Sequence, residues 1–225
     1  MSNKEHYLET MNKLTKNKLI NILESKIFKK DPSHDINHTL RVLVLAEKMG
    51  KKEKADMDIV IPAAIFHDII NYPKNHIKRL NSSEESAKLA KKVLENIDSF
   101  PKNKINKVYE SIRLCSFTKN IRPSFLEAKI LQDADGIEAM GAISIMRTFS
   151  SAGILNRSFY NNADPFCKKR IPEDDKYAID LFFTRLLIVK DRLHTKTAKK
   201  MARERFNFLK KFLKELSFEL KQSHE

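Results

Sequence analysis

Glycine is scarce in this chain, with four residues in a total of 225. An average domain of this length carries about 16, since glycine makes up roughly 7% of residues. Hairpin turns and glycine-rich phosphate loops need residues at positive φ, which glycine adopts at little cost. The composition therefore disfavours an all-β fold, a doubly wound dinucleotide-binding domain and a P-loop, and it favours a helical fold.

Apolar residues recur at helical spacing along nearly the whole chain. Leu19, Ile22 and Leu23 form the apolar stripe of a first helix, and Gly50 is predicted to end the second. Residues 58–70 are apolar on almost every side, which indicates a buried central helix. Further helices are predicted at about 82–97, 104–117, 124–132, 137–149 and 172–189, with an irregular stretch at 150–170. We predict a single all-α domain over residues 1–225, with eight or nine helices, a core at about 20–190 and a basic C-terminal helix at about 193–220.

The formal net charge is +14, from 43 Lys and Arg against 29 Asp and Glu. About half of this excess lies between Arg192 and Lys221, where ten basic residues stand against three acidic ones. Such a charge suits nucleic acid, anionic lipid or a phosphorylated small molecule as a partner. Phenylalanines in the same segment recur near helical spacing, so we expect them to dock the C-terminal helix on the core while its lysines and arginines face solvent. Nucleic acid is therefore the second choice of partner.

Two cysteines, Cys115 and Cys167, are too few for a disulfide framework and suit a reducing compartment. The first residues are charged and show no apolar region typical of a signal peptide. No stretch approaches the roughly 18 consecutive apolar residues of a transmembrane helix. We expect a cytoplasmic protein with no membrane partner, and the sequence leaves the oligomeric state open.

A histidine and an aspartate stand together at the end of the buried central helix, as His67 and Asp68. Taken alone, such a pair is explained better by a hydrogen bond that stabilises the helix end. His38, near the start of an earlier helix, and Asp135, at the end of a later apolar one, extend it to a mixed nitrogen and oxygen set that suits a divalent ion.

His34 and His38 are also spaced like the two histidines of a zinc-protease helix. The residue after His34 is an aspartate, one methylene shorter than the glutamate that acts as base in those enzymes. A proline two residues earlier places His34 at or before the helix start. We reject the protease interpretation.

The chain resembles the HD-domain metal-dependent phosphohydrolases, an all-α superfamily, through the pattern His38, His67-Asp68 and Asp135. It is most similar to a bacterial subfamily that includes nucleoside-triphosphate pyrophosphatases. The matching runs lie between about His34 and Leu187: Phe66-His67-Asp68-Ile69, Lys74-Asn75-His76, residues 127–135, residues 139–143, Asp164-Pro165-Phe166 and residues 174–180. Where the subfamily tends to carry a histidine before Ser-Phe, this chain has Cys115, which puts a second metal ion and full activity in question.

The resemblance implies one divalent ion, with Mn, Fe, Mg, Co and Ni all open, and a set of ligands for it. Such an ion activates water for attack on phosphorus, and nearby cations stabilise the charge that develops. The predicted metal ligands are His38, His67, Asp68 and Asp135; the predicted catalytic residues are Asp68, His34 and Lys74; and the predicted substrate-binding residues are His34, Arg41, Lys74, His76, Arg147 and Lys176.

We expect a metal-dependent phosphohydrolase that cleaves a phosphoester or phosphoanhydride bond of a phosphorylated small molecule, with a nucleotide as the first choice. The alternatives are a basic nucleic-acid-binding protein and a metal-binding HD protein without catalysis. The bond cleaved, the exact substrate and the metal stay open.

Overall fold

The structure, a computed structural model, describes residues 11–26, 35–72 and 76–222. Within these residues the chain forms nine α-helices and no strand, and an isolated parallel β-bridge joins Ser158 to Tyr177. The all-α prediction is confirmed. The helices are α1 (Lys13–Lys26), α2 (Ile36–Glu53), α3 (Met57–Phe66), α4 (Ser82–Glu95), α5 (Ile105–Arg113), α6 (Leu126–Glu138), α7 (Ala142–Ile154), α8 (Val189–Arg192) and α9 (Lys196–Gln222). Short 3₁₀ helices lie at Arg79–Asn81 and Lys102–Lys104, and a π-helical turn lies at Phe182–Leu186.

The chain divides into two compact units. Among the described residues, the first unit comprises 11–26, 35–72 and 76–134, and the second comprises 135–222. The boundary falls inside α6, between Ala134 and Asp135. The single domain over residues 1–225 stays a prediction.

Helix α3 is the centre of the first unit. Every residue of α3 except Asp58 is buried, and the helix packs against α1, α2, α4 and α5. Its start is fixed by charge, because Lys104 Nζ lies 2.9 Å from Asp56 Oδ2 and 2.7 Å from Asp58 Oδ2. Burial on all sides explains why the sequence of α3 has no polar face.

Gly50 does not end α2, so that prediction is wrong. The helix continues to Glu53, and Lys54 closes it in the left-handed conformation at φ 58°. The glycine has a different role, because a Cβ at Gly50 would lie 2.8 Å from Met57 Sδ. The Met57 side chain at the start of α3 thus packs closely against Gly50 of α2.

Helix α3 ends at Phe66 and not at Ile70 as the apolar run predicted. The backbone N–H of Ile70 donates to Ser86 Oγ at 3.0 Å, and the Ser86 hydroxyl donates back to the Ile70 carbonyl at 3.1 Å. This exchange satisfies both backbone groups outside a helix, so the chain can leave α3 early. His67 and Asp68 thus follow the helix directly.

The predicted helix at 172–189 is wrong over its first part. The segment before the π-helical turn is irregular, and it is held by the fully buried carboxylate of Asp180. Arg170 donates to both oxygens of Asp180, at 2.5 and 2.6 Å, and the Glu173 N–H donates to one of them at 2.6 Å. A carboxylate bound in this way organises the loop, and periodicity alone does not reveal it.

Helix α9 runs within a few residues of its predicted range, and it buries Ala198, Ala202 and Leu209. The predicted docking of its phenylalanines is right for Phe212, whose ring stacks on Phe182 in the second unit at 5.6 Å between centroids. It is wrong for Phe208 and Phe218, which are 47% and 57% exposed. At about 100° per residue, both rings point away from the buried side of α9.

Among the described residues, no helix combines the length and the apolar character that a membrane span requires. Cys115 and Cys167 are both free thiols, in agreement with the absence of a disulfide framework.

Candidate functional site

The ring of His67 is fixed at the end of α3. The side chain is 2% exposed, and its Nδ1 lies 2.8 Å from the carbonyl oxygen of Ala64. A carbonyl oxygen only accepts hydrogen bonds, so the Nδ1 atom carries the proton and donates it. The Nε2 atom of His67 therefore keeps its lone pair, which is the tautomer that a metal ligand needs.

His38 faces His67 from the first turn of α2 and is 1% exposed. The helix start is capped by Asp35, whose side chain accepts the His38 backbone N–H at 2.9 Å. The two Nε2 atoms lie 3.3 Å apart, with ring centroids 5.3 Å apart and the rings tilted by 59°. The Nε2 atom of His67 carries a lone pair, so its short distance to His38 Nε2 has two explanations. Either His38 Nε2 donates a proton to it, or a cation lies close to both nitrogens.

Two carboxylates complete the cluster. Asp68 Oδ2 lies 3.6 Å from His38 Nε2 and 3.9 Å from His67 Nε2. A ring nitrogen of His38, a ring nitrogen of His67 and a carboxylate oxygen of Asp135 all lie within 4.8 Å of one another. Two imidazole nitrogens and carboxylate oxygens in this arrangement fit a divalent cation, because each donor is a good ligand and the positive charge balances the charge of the two acids.

The four side chains come from three helix ends. His38 lies in the first turn of α2, His67 and Asp68 follow the last residue of α3, and Asp135 lies in the last turn of α6. The four residues are far apart in sequence, from residue 38 to residue 135, because they belong to three different helices of the fold. The structure thus brings together all four residues predicted as metal ligands.

The end of α6, which carries Asp135, is held from within the second unit by Arg205. Its Nη1 donates to the carbonyl oxygen of Ile137 at 2.5 Å and lies 3.4 Å from that of Met140. Burial lowers the pKa of Arg205, and the Glu138 carboxylate acts in the opposite direction. The stem of Arg205 covers Gly141, which stands at φ 87° and has room for no large side chain.

The predicted substrate-binding residues have different surroundings. Arg41 is half-buried and lies three residues after His38, so both project from one face of α2. His76 is exposed, stacks on Tyr72 at 4.7 Å between centroids and accepts the Lys78 backbone N–H at its Nδ1. His34 and Lys74 lie outside the described residues.

Two further cations predicted to bind substrate make ion pairs of their own. Arg147 contacts the buried carboxylate of Glu138, and the pair joins α7 to the end of α6. Lys176 is exposed and lies 2.5 Å from Glu173, which raises the pKa of Lys176 through a side-chain hydrogen bond. Both cations thus have a carboxylate partner within the second unit.

Cys115 is buried just after α5, where its backbone N–H donates to the Ile112 carbonyl at 3.0 Å. Beside it, the Gln132 side chain on α6 donates to the carbonyl oxygens of Leu114 at 2.5 Å and Ile121 at 2.8 Å. The thiol therefore lies in a packed connection between α5 and α6.

Sequence reasoning missed two groups that position the cluster: the Ala64 carbonyl, which orients His67, and Arg205, which holds the end of α6. The first has no sequence signal, because every residue type supplies a carbonyl. Arg205 belongs to the basic segment, whose cations are predicted to face solvent. At about 100° per residue, however, position 205 falls on the buried side of α9.

Comparisons with known proteins agree with this geometry. A family model described as HD domain matches residues 35–140. The uncharacterized protein YpgQ of Bacillus subtilis is 34% identical over 200 residues, which covers 86% of this chain and 88% of that protein. Its crystal structure in complex with ADP superposes with a TM-score of 0.68 at 30% identity, covering 91% of this chain and 97% of that chain. The crystal structure of an HD-superfamily hydrolase from Bacillus thuringiensis superposes with a TM-score of 0.70 at 27% identity, covering 92% and 97%.

Proposed function

The chain belongs to the HD domain family and is a metal-dependent phosphohydrolase, and on this premise we propose that it hydrolyses a phosphoanhydride bond of a nucleotide. The observation that carries the proposal is the approach of His38, His67 and Asp135 to within 4.8 Å, with Asp68 beside them. We propose these four side chains as the ligands of one divalent ion.

His38, His67, Asp68 and Asp135 would hold the ion, which would polarise a phosphoryl oxygen and lower the pKa of bound water. The histidines contribute rigid neutral donors, because both rings are buried and the Ala64 carbonyl sets the tautomer of His67. Asp68 differs from them, since its side chain is 28% exposed. Asp68 is therefore open to an attacking water, and its carboxylate is the proposed proton acceptor.

Positive side chains are needed where charge gathers on the phosphoryl oxygens. Arg41 is the described candidate for this role, because it stands one turn from His38 on the same face of α2. Its guanidinium suits a phosphate group, which it can bind through two parallel hydrogen bonds. His34 and Lys74 keep their proposed roles as proton donor and phosphate-binding cation, and His76, Arg147 and Lys176 remain candidates for phosphate contact.

The choice of a nucleotide is supported by the ADP complex of the Bacillus subtilis relative and by the basic charge of this chain. A nucleoside triphosphate or diphosphate carries several negative charges, which match a basic protein with a cationic metal site. Hydrolysis between the α and β phosphates and hydrolysis of the terminal phosphate give different products, so one assay can identify the bond.

The test is a panel of ribo- and deoxyribonucleotides incubated with Mn²⁺, Mg²⁺, Fe²⁺, Co²⁺ or Ni²⁺, with products separated by chromatography. Pyrophosphate with a nucleoside monophosphate, or inorganic phosphate with a shorter nucleotide, is the expected result for the wild type. The Asp68→Ala variant should lose about 100-fold or more in kcat/KM, because it removes both a ligand and the proposed proton acceptor.

The matched control is Asp98→Ala, which removes an exposed carboxylate from the same unit and should leave kcat/KM unchanged. Calorimetric titration with Mn²⁺ separates the two parts of the proposal. Absence of metal binding by the wild type would contradict the ligand assignment. Metal binding without turnover of any nucleotide would contradict the substrate and favour a metal-binding protein without catalysis.

A further inference from the structure

Helix α9 carries a continuous strip of exposed positive charge. The helix has 27 residues and is therefore about 40 Å long. At about 100° per residue, eight of its cations fall within a sector about 120° wide, and all eight are exposed. We call this strip the basic face; it consists of Lys196, Lys199, Lys200, Arg203, Lys210, Lys211, Lys214 and Lys221.

The acidic residues of α9 lie outside the basic face. Glu204, Glu215 and Glu219 all fall to one side of it, roughly 80–140° around the helix from Lys196. Glu204 stands four residues after Lys200 and Glu215 four residues after Lys211, so these acids can pair with one edge of the basic face, but no acidic residue falls within it. The eight cations therefore produce a positive potential along this side of the helix.

An aromatic ring stands in the middle of the C-terminal part of the basic face. Phe218 is 57% exposed and lies within one or two turns of Lys211, Lys214 and Lys221 on the same side. Phe218 therefore adds an exposed aromatic ring to the cations around it. Cations beside an exposed aromatic ring form the usual surface for single-stranded nucleic acid, whose phosphates meet the cations and whose bases stack on the ring.

An anionic membrane is a poorer partner for this face. A helix that lies on a bilayer inserts its apolar side among the acyl chains. In α9 that side is already used, because Ala198, Ala202 and Leu209 are buried within the second unit. The two large apolar side chains that α9 exposes, Phe208 and Phe218, lie about 80° apart around the helix and do not form one apolar side.

We propose that the basic face of α9, with Phe218, binds single-stranded nucleic acid through its phosphate backbone, as a function separate from the hydrolase site. Binding is without base sequence preference, because neither lysine nor a stacked phenylalanine reads base edges.

The experiment measures binding of a fluorescein-labelled 20-nucleotide poly-dT to the full chain by fluorescence anisotropy at several salt concentrations. If about four phosphates are neutralised, log K falls with log salt at a slope of about −2.8, which weakens binding about 50-fold between 50 and 200 mM salt. Changing Lys211, Lys214 and Lys221 to Gln together should make the slope shallower by about two. Phe218→Ala should weaken binding about fivefold or more.

Each variant has a matched control. The triple change of Lys88, Lys92 and Lys107 to Gln alters the net charge equally at exposed positions of the first unit and should leave the slope unchanged. Phe208→Ala removes a ring that is 47% exposed but lies outside the basic face, and it should bind like the wild type.

Three results would overturn the proposal. Equal losses in both triple variants would mean that only net charge matters. Loss of poly-dT binding in Asp68→Ala would mean that the strand occupies the hydrolase site. Binding to phosphatidylglycerol vesicles without binding to poly-dT would assign the face to lipid.

Discussion

Arg205→Met tests whether the end of α6 depends on a single guanidinium. The substitution removes the Nη1 hydrogen bond to the Ile137 carbonyl at 2.5 Å and the 3.4 Å contact to Met140. A hydrogen bond from a charged donor contributes about 1.5–3 kcal/mol, and a contact near the distance limit adds little. Methionine keeps most of the stem that covers Gly141, so packing changes less than hydrogen bonding. We expect the free energy of unfolding to fall by about 2 kcal/mol.

The same change should weaken metal binding. Asp135 and the Ile137 carbonyl belong to the same last turn of α6, so a displaced helix end moves the Asp135 carboxylate. Loss of a group that orients a ligand typically costs about 10-fold or more in metal affinity. Urea unfolding gives the stability, and titration with Mn²⁺ gives the affinity without relying on turnover.

Arg203→Met is the matched control, since Arg203 is an exposed arginine of the same helix. It should change the free energy of unfolding by no more than about 0.5 kcal/mol. Arg205→Lys should restore part of the loss, because an ammonium group can also donate to a carbonyl. Wild-type stability in Arg205→Met would refute the structural role of the bond. Reduced stability with unchanged Mn²⁺ affinity would refute its role in positioning Asp135.

The remaining predictions concern the loop and the glycines of the second unit. Asp180→Asn leaves Arg170 without its buried bidentate partner and should lower the free energy of unfolding by about 3–5 kcal/mol in urea titrations. Burial alone raises the pKa of Asp180, but hydrogen bonds from Arg170 and the backbone outweigh it and hold that pKa below its ordinary value. Its contribution is therefore present above about pH 4 and lost as the pH falls further, so between pH 5 and 3 the wild type should lose more stability than Asp180→Asn. Gly141→Ala should lower stability by about 1 kcal/mol or more, because the backbone there has φ 87°, whereas Gly153→Ala, with nothing within 4 Å of the added Cβ, should raise it by about 0.5–1 kcal/mol.

These predictions have distinct counter-results. An Asp180→Asn variant as stable as the wild type at pH 7 would show that the ion pair only offsets its own burial. Parallel acid unfolding curves for the two proteins would remove Asp180 from the pH dependence. Equal effects of alanine at Gly141 and Gly153 would mean that backbone conformation does not separate the two sites.

The sequence predicted most helices because each buries one face, and burial imposes a period that can be counted. It failed at residues 172–180, where the deciding interaction is the bidentate pair of Arg170 with Asp180. It also assigned Gly50 to a helix end, whereas α2 runs on to Glu53 and Met57 packs against the glycine. In both cases the cause is a contact formed in three dimensions, and local propensity does not contain it.

The candidate site shows the same division in a sharper form. His38, His67, Asp68 and Asp135 could be predicted because metal ligation restricts residue type, so each position must carry an imidazole or a carboxylate. The groups that orient them are the carbonyl oxygen of Ala64 for His67 and, through Arg205, that of Ile137 for the helix of Asp135. A carbonyl oxygen imposes no residue type, so neither Ala64 nor Ile137 carries a signature of this role. It follows that replacing the side chain of Ala64 or Ile137 affects the site only through packing. A change elsewhere that tilts the last turn of α3 or α6 alters the direction of the ligand side chain at that helix end, even though the ligand residue itself is unchanged.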